Sequence, residues 1–168
     1  MNVLILGGQS SRHQQWVRDL AASLADQFET VKFIDYRHWQ TNGDLDIDHE
    51  LQEISKATQD LTNYVIIAKS IGSVLSILAI SQGVCKPEKC VFLGFPLAEV
   101  TEHLPGLGSN LRDLPETIFV HNKHDPHGDA SEIKAYLQAN RVKNYQFFEQ
   151  DGNTHDYVDF DLIAKLAA

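Results

Sequence analysis

The stretch Tyr64-Val65-Ile66-Ile67-Ala68-Lys69-Ser70-Ile71-Gly72 decides how the rest of the chain reads. Residues 64–68 form a continuous apolar run rich in β-branched side chains, the pattern of a strand buried on both faces of a parallel sheet. Directly beyond it, Val74, Leu75, Leu78 and Ala79 recur at helical spacing on a segment that is apolar almost all round. Little chain is left for a loop, so the strand must turn into the helix at Ser70. Ala68 and Gly72, two residues to either side, are small, because larger side chains in so sharp a turn collide with neighbouring strands. The residue at such an apex is held in a strained conformation costing on the order of 1–3 kcal/mol. A serine that simply caps the helix also fits this position.

The same alternation continues outward in both directions. Strand-like runs occupy residues 3–6, 31–35, 90–94, 117–121 and 145–149. Between them lie helical stripes formed by Val17, Leu20, Ala21, Leu24 and Phe28, by Ile47, Leu51 and Ile54, and by Ile133, Tyr136 and Leu137. A last stripe comprises Phe160, Ile163, Ala164 and Ala167. Ser11 with Gln14, and Asp129 with Glu132, predict capping boxes. Strands separated by helices imply βαβ units with right-handed crossovers. The expected fold is α/β: one doubly wound domain over residues 1–168, with a mostly parallel six-stranded sheet flanked by helices. Residues 96–115 break the rhythm, carrying Pro105, Gly106 and Gly108 without a convincing helical stripe. A connection of that length is expected to be functional or partly helical, and to overhang the site.

Composition excludes several classes. A formal net charge of −9 repels phosphate backbones and anionic lipid surfaces, so neither nucleic acid nor a membrane is an expected partner. The opening Met1-Asn2-Val3-Leu4-Ile5-Leu6 lacks the basic start of an export signal, and the apolar stretch 64–80 is too short and too interrupted to span a bilayer. Without export, Cys85 and Cys90 are expected as reduced thiols, and the protein as cytoplasmic. His121, His124 and His127 are regularly spaced beside two aspartates, but Pro126 opposes the helix that would make them converge, so no metal site is expected. Oligomeric state has no signature in the sequence.

In open α/β sheets, ligands bind beyond the carboxyl ends of the strands. The third strand delivers Ser70 there, the fifth delivers Asp125 in a turn, and the sixth delivers His155 in a glycine-containing loop. Taken singly, these read as a helix cap, an Asp-Pro turn and a solvated histidine. Taken together, they place Ser, Asp and His at three strand ends in the chain order of catalytic triads on this sheet type. Ser73 is a competing nucleophile, but it lies inside the helix, where its hydroxyl is less open to substrate.

These residues resemble the α/β-hydrolase superfamily, in particular its small, cap-less serine hydrolases and esterases. Ala68-Lys69-Ser70-Ile71-Gly72 looks like the nucleophile elbow, with alanine for the commoner first glycine. Asn122-Lys123-His124-Asp125 looks like the Gly-x-x-Asp acid turn, with asparagine expected to take the left-handed conformation of that glycine. Gly152-Asn153-Thr154-His155 is similar to the Gly-x-x-His loop. The resemblance runs from Val3 onward, beginning at the family's third strand, and implies the sheet order 2-1-3-4-5-6 in this chain's own numbering. It further implies catalysis by Ser70, His155 and Asp125 on a small ester or thioester, with no cofactor. The oxyanion hole would come from backbone N–H groups of Gly8 or Gln9 together with Ile71, although the family's histidine ahead of the glycines is replaced by Leu6-Gly7. Lys69 reads as a solvated edge residue, or alternatively as a residue favouring anionic substrates. Two other readings stay open: a non-catalytic binding module on the same fold, and a flavodoxin-like nucleotide-binding domain using Gly7-Gly8-Gln9-Ser10-Ser11. Neither dinucleotide nor P-loop glycine pattern is present to support the latter.

Overall fold

A computed structural model describes all residues 1–168. Its centre is a sheet of β1 (Asn2–Leu6), β2 (Thr30–Phe33), β3 (Tyr64–Lys69), β4 (Lys89–Leu93), β5 (Glu116–Asn122) and β6 (Tyr145–Gln150). The strands run in the order β2-β1-β3-β4-β5-β6, and every neighbouring pair is parallel. β1, β3 and β4 lie in the middle and carry the near-continuous apolar runs that burial on both faces demands. The edge strand β6 instead alternates half-buried and exposed positions.

The helices are α1 (His13–Leu24), α2 (His38–Thr41), α3 (Ile47–Thr58), α4 (Ile71–Ser81), α5 (Leu97–His103), α6 (Ala130–Ala139) and α7 (Phe160–Ala167), with a 3-10 helix at Leu107–Asp113. On one face α1 packs on α7; on the other, α3, α4, the 3-10 helix and α6 form a contiguous layer. Crossing from β1 outward to β2 and then back to β3 with right-handed connections puts the helices on these two faces. α4 is buried nearly all round, with Val74, Leu75, Ile77 and Ala79 closed to solvent, as its uninterrupted apolar composition requires. One core joins both layers.

Three local expectations change. The predicted box at Ser11 and Gln14 does not form: α1 starts one residue later, its N-cap is Arg12, and no side chain caps it. Ser11 is bypassed because the chain leaves β1 through a compact turn in which His13 N–H donates to the Ser10 carbonyl. The box at Asp129 and Glu132 is present. Residues 96–115, which show no stripe in sequence, fold into α5 and the 3-10 helix, both too short to display a period. No helix is long and apolar enough to cross a membrane.

Candidate active site

Ser70 sits between β3 and α4 with φ 53° and ψ −123°, outside the ordinary regions for a residue with a side chain. Its N–H donates to the Leu93 carbonyl at 2.9 Å, which pins the apex to β4. A Cβ at Gly72 would lie 2.7 Å from the carbonyl oxygens of both Leu6 and Gly7, so α4 approaches the end of β1 as closely as glycine permits. Ser73 is fully buried, and its hydroxyl donates to the Ser70 carbonyl at 2.6 Å. That removes it as a nucleophile.

Asp125 is buried beyond β5, and three donors converge on its carboxylate. His155 Nδ1–H lies 3.0 and 2.8 Å from the two oxygens, the Tyr157 hydroxyl donates at 2.8 Å, and the His127 N–H at 2.9 Å. Burial alone pushes the Asp125 carboxyl up, but His155 and the other donors outweigh it and hold it below the usual carboxylate range. With Nδ1 committed to Asp125, Nε2 of neutral His155 carries the free lone pair. That nitrogen is buried and has no hydrogen-bond partner. Ser70 and His155 line one cleft of about 420 Å3, together with Gln9, Lys69 and Ile71. The three sequence-derived residues are therefore brought to one place, Asp125 behind His155 and His155 beside the cleft that Ser70 opens into.

The loop after β1 is held from behind. Gly7 accepts from the Tyr36 hydroxyl at 3.0 Å, Gly8 from Trp39 Nε1 at 3.2 Å, and Gln9 from Trp39 Nε1 at 3.1 Å and His38 Nε2 at 2.7 Å. These bonds occupy the carbonyls, while the N–H groups of Gly8, Gln9 and Ile71 make no hydrogen bond within the chain. Gln9 and Ile71 line the cleft, whereas Gly8 does not. The half-buried His13 imidazole lies over Gly8, where a Cβ would come within 2.5 Å of its Cε1. Burial, reinforced by the Lys69 charge, pushes the His13 pKa down to about 4. Gly7 and Gly8 are thus packed against their own neighbours, while Gln9 and Ser10 line the cleft.

Several residues that shape the site had little or no signal in sequence. Gly94, just past β4, has φ 59°, and a Cβ there would lie 2.5 Å from the Tyr157 ring and 2.9 Å from His155 Cε1. Its absence of a side chain is what lets the histidine loop settle against β4. The Asn122 conformation differs from expectation: it is not left-handed, because it is the last residue of β5. Its amide instead donates to the Thr154 and Asp156 carbonyls at 2.9 and 3.2 Å, clasping the loop on either side of His155. Tyr157 and Gly94 were discoverable only through contacts across strands.

Lys69 also departs from expectation. It is 4% exposed rather than solvated, because it is the last residue of a central strand and lies under Trp16, whose ring centre is 5.6 Å from Nζ. His121, His124 and His127 point to separate tasks: His121 Nε2–H donates to the Gly128 carbonyl, His124 faces Asp129, and His127 pairs with Glu99 on α5. That last pair draws α5 over the cleft, where Glu99, Val100, His103 and Leu104 form part of the wall.

The sequence matches no family model and no curated protein. Solved structures do match it. An uncharacterized protein from Bacillus cereus ATCC 10987 aligns with a TM-score of 0.71 and 19% identity, covering 99% of this chain and 58% of that one. A protein from Xanthomonas campestris pv. campestris, described as a hydrolase of the alpha/beta superfamily, gives 0.70 and 20% identity over 99% of this chain and 93% of the other. A structure from work on LipS and LipT, metagenome-derived lipolytic enzymes, gives 0.74 at 12% identity over 98% and 90%. With its six-stranded order, the chain has the α/β-hydrolase fold in a small form.

Proposed function

We propose that this protein is a serine hydrolase that cleaves a carboxylic ester or thioester of a small substrate. The observation that carries this reading is the pairing, in one cleft, of a serine in a strained strand-to-helix turn with a histidine whose Nε2 is unpartnered. His155 Nε2 takes the Ser70 hydroxyl proton as Oγ attacks the substrate carbonyl. The carbonyl π electrons move to oxygen, giving a tetrahedral oxyanion that the Gln9 and Ile71 N–H groups receive. Losing one such donor costs about 2.7–4 kcal/mol of transition-state stabilisation. The oxyanion collapses, the C–O or C–S bond breaks, and imidazolium returns its proton to the leaving group. Water then repeats the sequence on the acyl-serine, releasing the acid. Asp125 stays ionised throughout and stabilises the imidazolium.

The cleft volume suits a small molecule. Two buried free thiols, Cys85 and Cys90, fit a reducing compartment such as the cytoplasm. A second reading, a binding module without catalysis, draws on one observation: the Ser70 hydroxyl makes no hydrogen bond to His155. A fluorophosphonate probe separates the two. Wild type and Ser73→Ala are expected to label and Ser70→Ala not to; a folded wild type that stays unlabelled favours the binding module.

A further inference from the structure

The cleft is lined by charged groups that the hydrolytic chemistry does not use, and Lys69 lies nearest the nucleophile in sequence. Lys69 is almost wholly buried, adjoins the nucleophile in sequence, and lines the same cleft as Ser70. No carboxylate lies within ion-pair distance of its ammonium; the contact it makes is with the Trp16 ring. Its ammonium makes no hydrogen bond within the chain and reaches the cleft, so its three N–H donors are open to an occupant. A charge on so buried a side chain without a partner is costly to hold. Burial pushes the Lys69 pKa down, against the pull of Asp156 and Asp125 and alongside the push of Arg12. Asp125 is already committed to His155, Tyr157 and His127, and Glu99 to His127. Asp156 is exposed at the rim. Arg12, the other cation of the cleft wall, also forms no ion pair. Two unpaired cations beside the nucleophile are conspicuous in a chain of net charge −9.

We infer that the substrate carries a carboxylate, which Lys69 binds as its counterion with Arg12 closing over it from the rim. This rests on the serine-hydrolase reading of Ser70 and names the chemical class that its cleft selects. A monoanion matches one buried ammonium, and binding it supplies the charge partner that the fold withholds. The guanidinium adds a second set of donors from solvent.

The test uses esters matched in size. Monophenyl adipate is compared with its methyl ester for a charge on the acyl side, and 3-(butanoyloxy)benzoate with its benzamide for a charge on the leaving group. In at least one pair, wild-type kcat/KM for the acid is expected to exceed that for the neutral partner by about tenfold, the worth of one charge-assisted hydrogen bond. In Lys69→Met that ratio is expected to fall towards unity through KM, with partial return in Lys69→Arg. Arg12→Gln, at an exposed position where folding is not at stake, is expected to lower it severalfold and keeps the question open to test if Lys69→Met does not fold. Equal turnover of acid and neutral esters by wild type overturns the inference, as does an undiminished ratio in both variants. Calorimetric titration with adipate keeps this failure distinct from failure of the hydrolase reading. If no ester is cleaved, that reading falls, while the carboxylate site stands if adipate binds wild type but not Lys69→Met, and falls if it binds both alike or neither.

Discussion

Gly72 and Ala68 occupy matching positions of the elbow, yet their tolerances differ. Ala68 carries its Cβ in full burial between Leu6 and Phe92. Gly72 has carbonyl oxygens where a Cβ would go. Gly72→Ala is therefore expected to cost about 1–3 kcal/mol in denaturant unfolding and to depress turnover, since α4 must shift away from β1. Ala68→Gly is expected to cost about 1 kcal/mol or less. The three proposed catalytic residues were legible because each occupies a strand end, a place that apolar runs mark out. Asn122 was legible only as a position: its clasp on the histidine loop depends on β5 lying beside β6, which residue spacing does not express. Asn122→Ala leaves two loop carbonyls without their donor and is expected to reduce kcat with a stability loss of about 1–3 kcal/mol. His13 gives a pH signature. Its folded pKa, near 4, lies below the unfolded value of about 6.5. The unfolded chain then binds the proton first, so stability is level above pH 6.5 and falls as pH drops towards 4. With the ring partly open to solvent the loss is about 1–2 kcal/mol. Thermal melts of wild type and His13→Gln should diverge within that window; parallel curves would count against a buried neutral imidazole.

At the scale of elements, α5 shows where periodicity gives out. Seven residues make two turns, only Val100 is buried, and Pro96 supplies no capping side chain, so nothing in the local sequence commits the segment to a helix. The Glu99–His127 pair and the cleft behind it hold α5 in place. Glu99→Gln weakens that tie, and hydrogen exchange over residues 97–104 is expected to quicken, with a rise in KM larger than any fall in kcat. Unchanged exchange there would mean that Val100 packing alone holds the segment. α2 was missed for the same reason, being a single turn whose value lies in Trp39 and His38 reaching the β1 loop. By contrast, α6 was readable from a buried stripe of two turns, α7 from Ile163, Ala164 and Ala167 with the partly buried Phe160, and α4 from being apolar nearly all round.

For the molecule as a whole, the parallel sheet was recoverable because right-handed crossovers leave few ways to order strands that alternate with helices. Burial also protects the thiols, Cys90 within β4 and Cys85 in the connection between α4 and β4. Cys90 is fully enclosed and its thiol is pushed well above its ordinary pKa; burial raises Cys85 to about 11. Native protein is expected to resist iodoacetamide at neutral pH and to take up two equivalents once unfolded, so alkylation rate reports global opening. Trp16 joins three parts of this architecture: it rides on α1, donates from Nε1 to the Tyr157 carbonyl at 2.8 Å, and covers Lys69. The indole thereby serves as a built-in optical reporter. Its emission, taken as the difference between wild type and Trp16→Phe, should shift whenever an occupant alters the charge beneath it, giving a label-free readout of the cleft before any bond is cut.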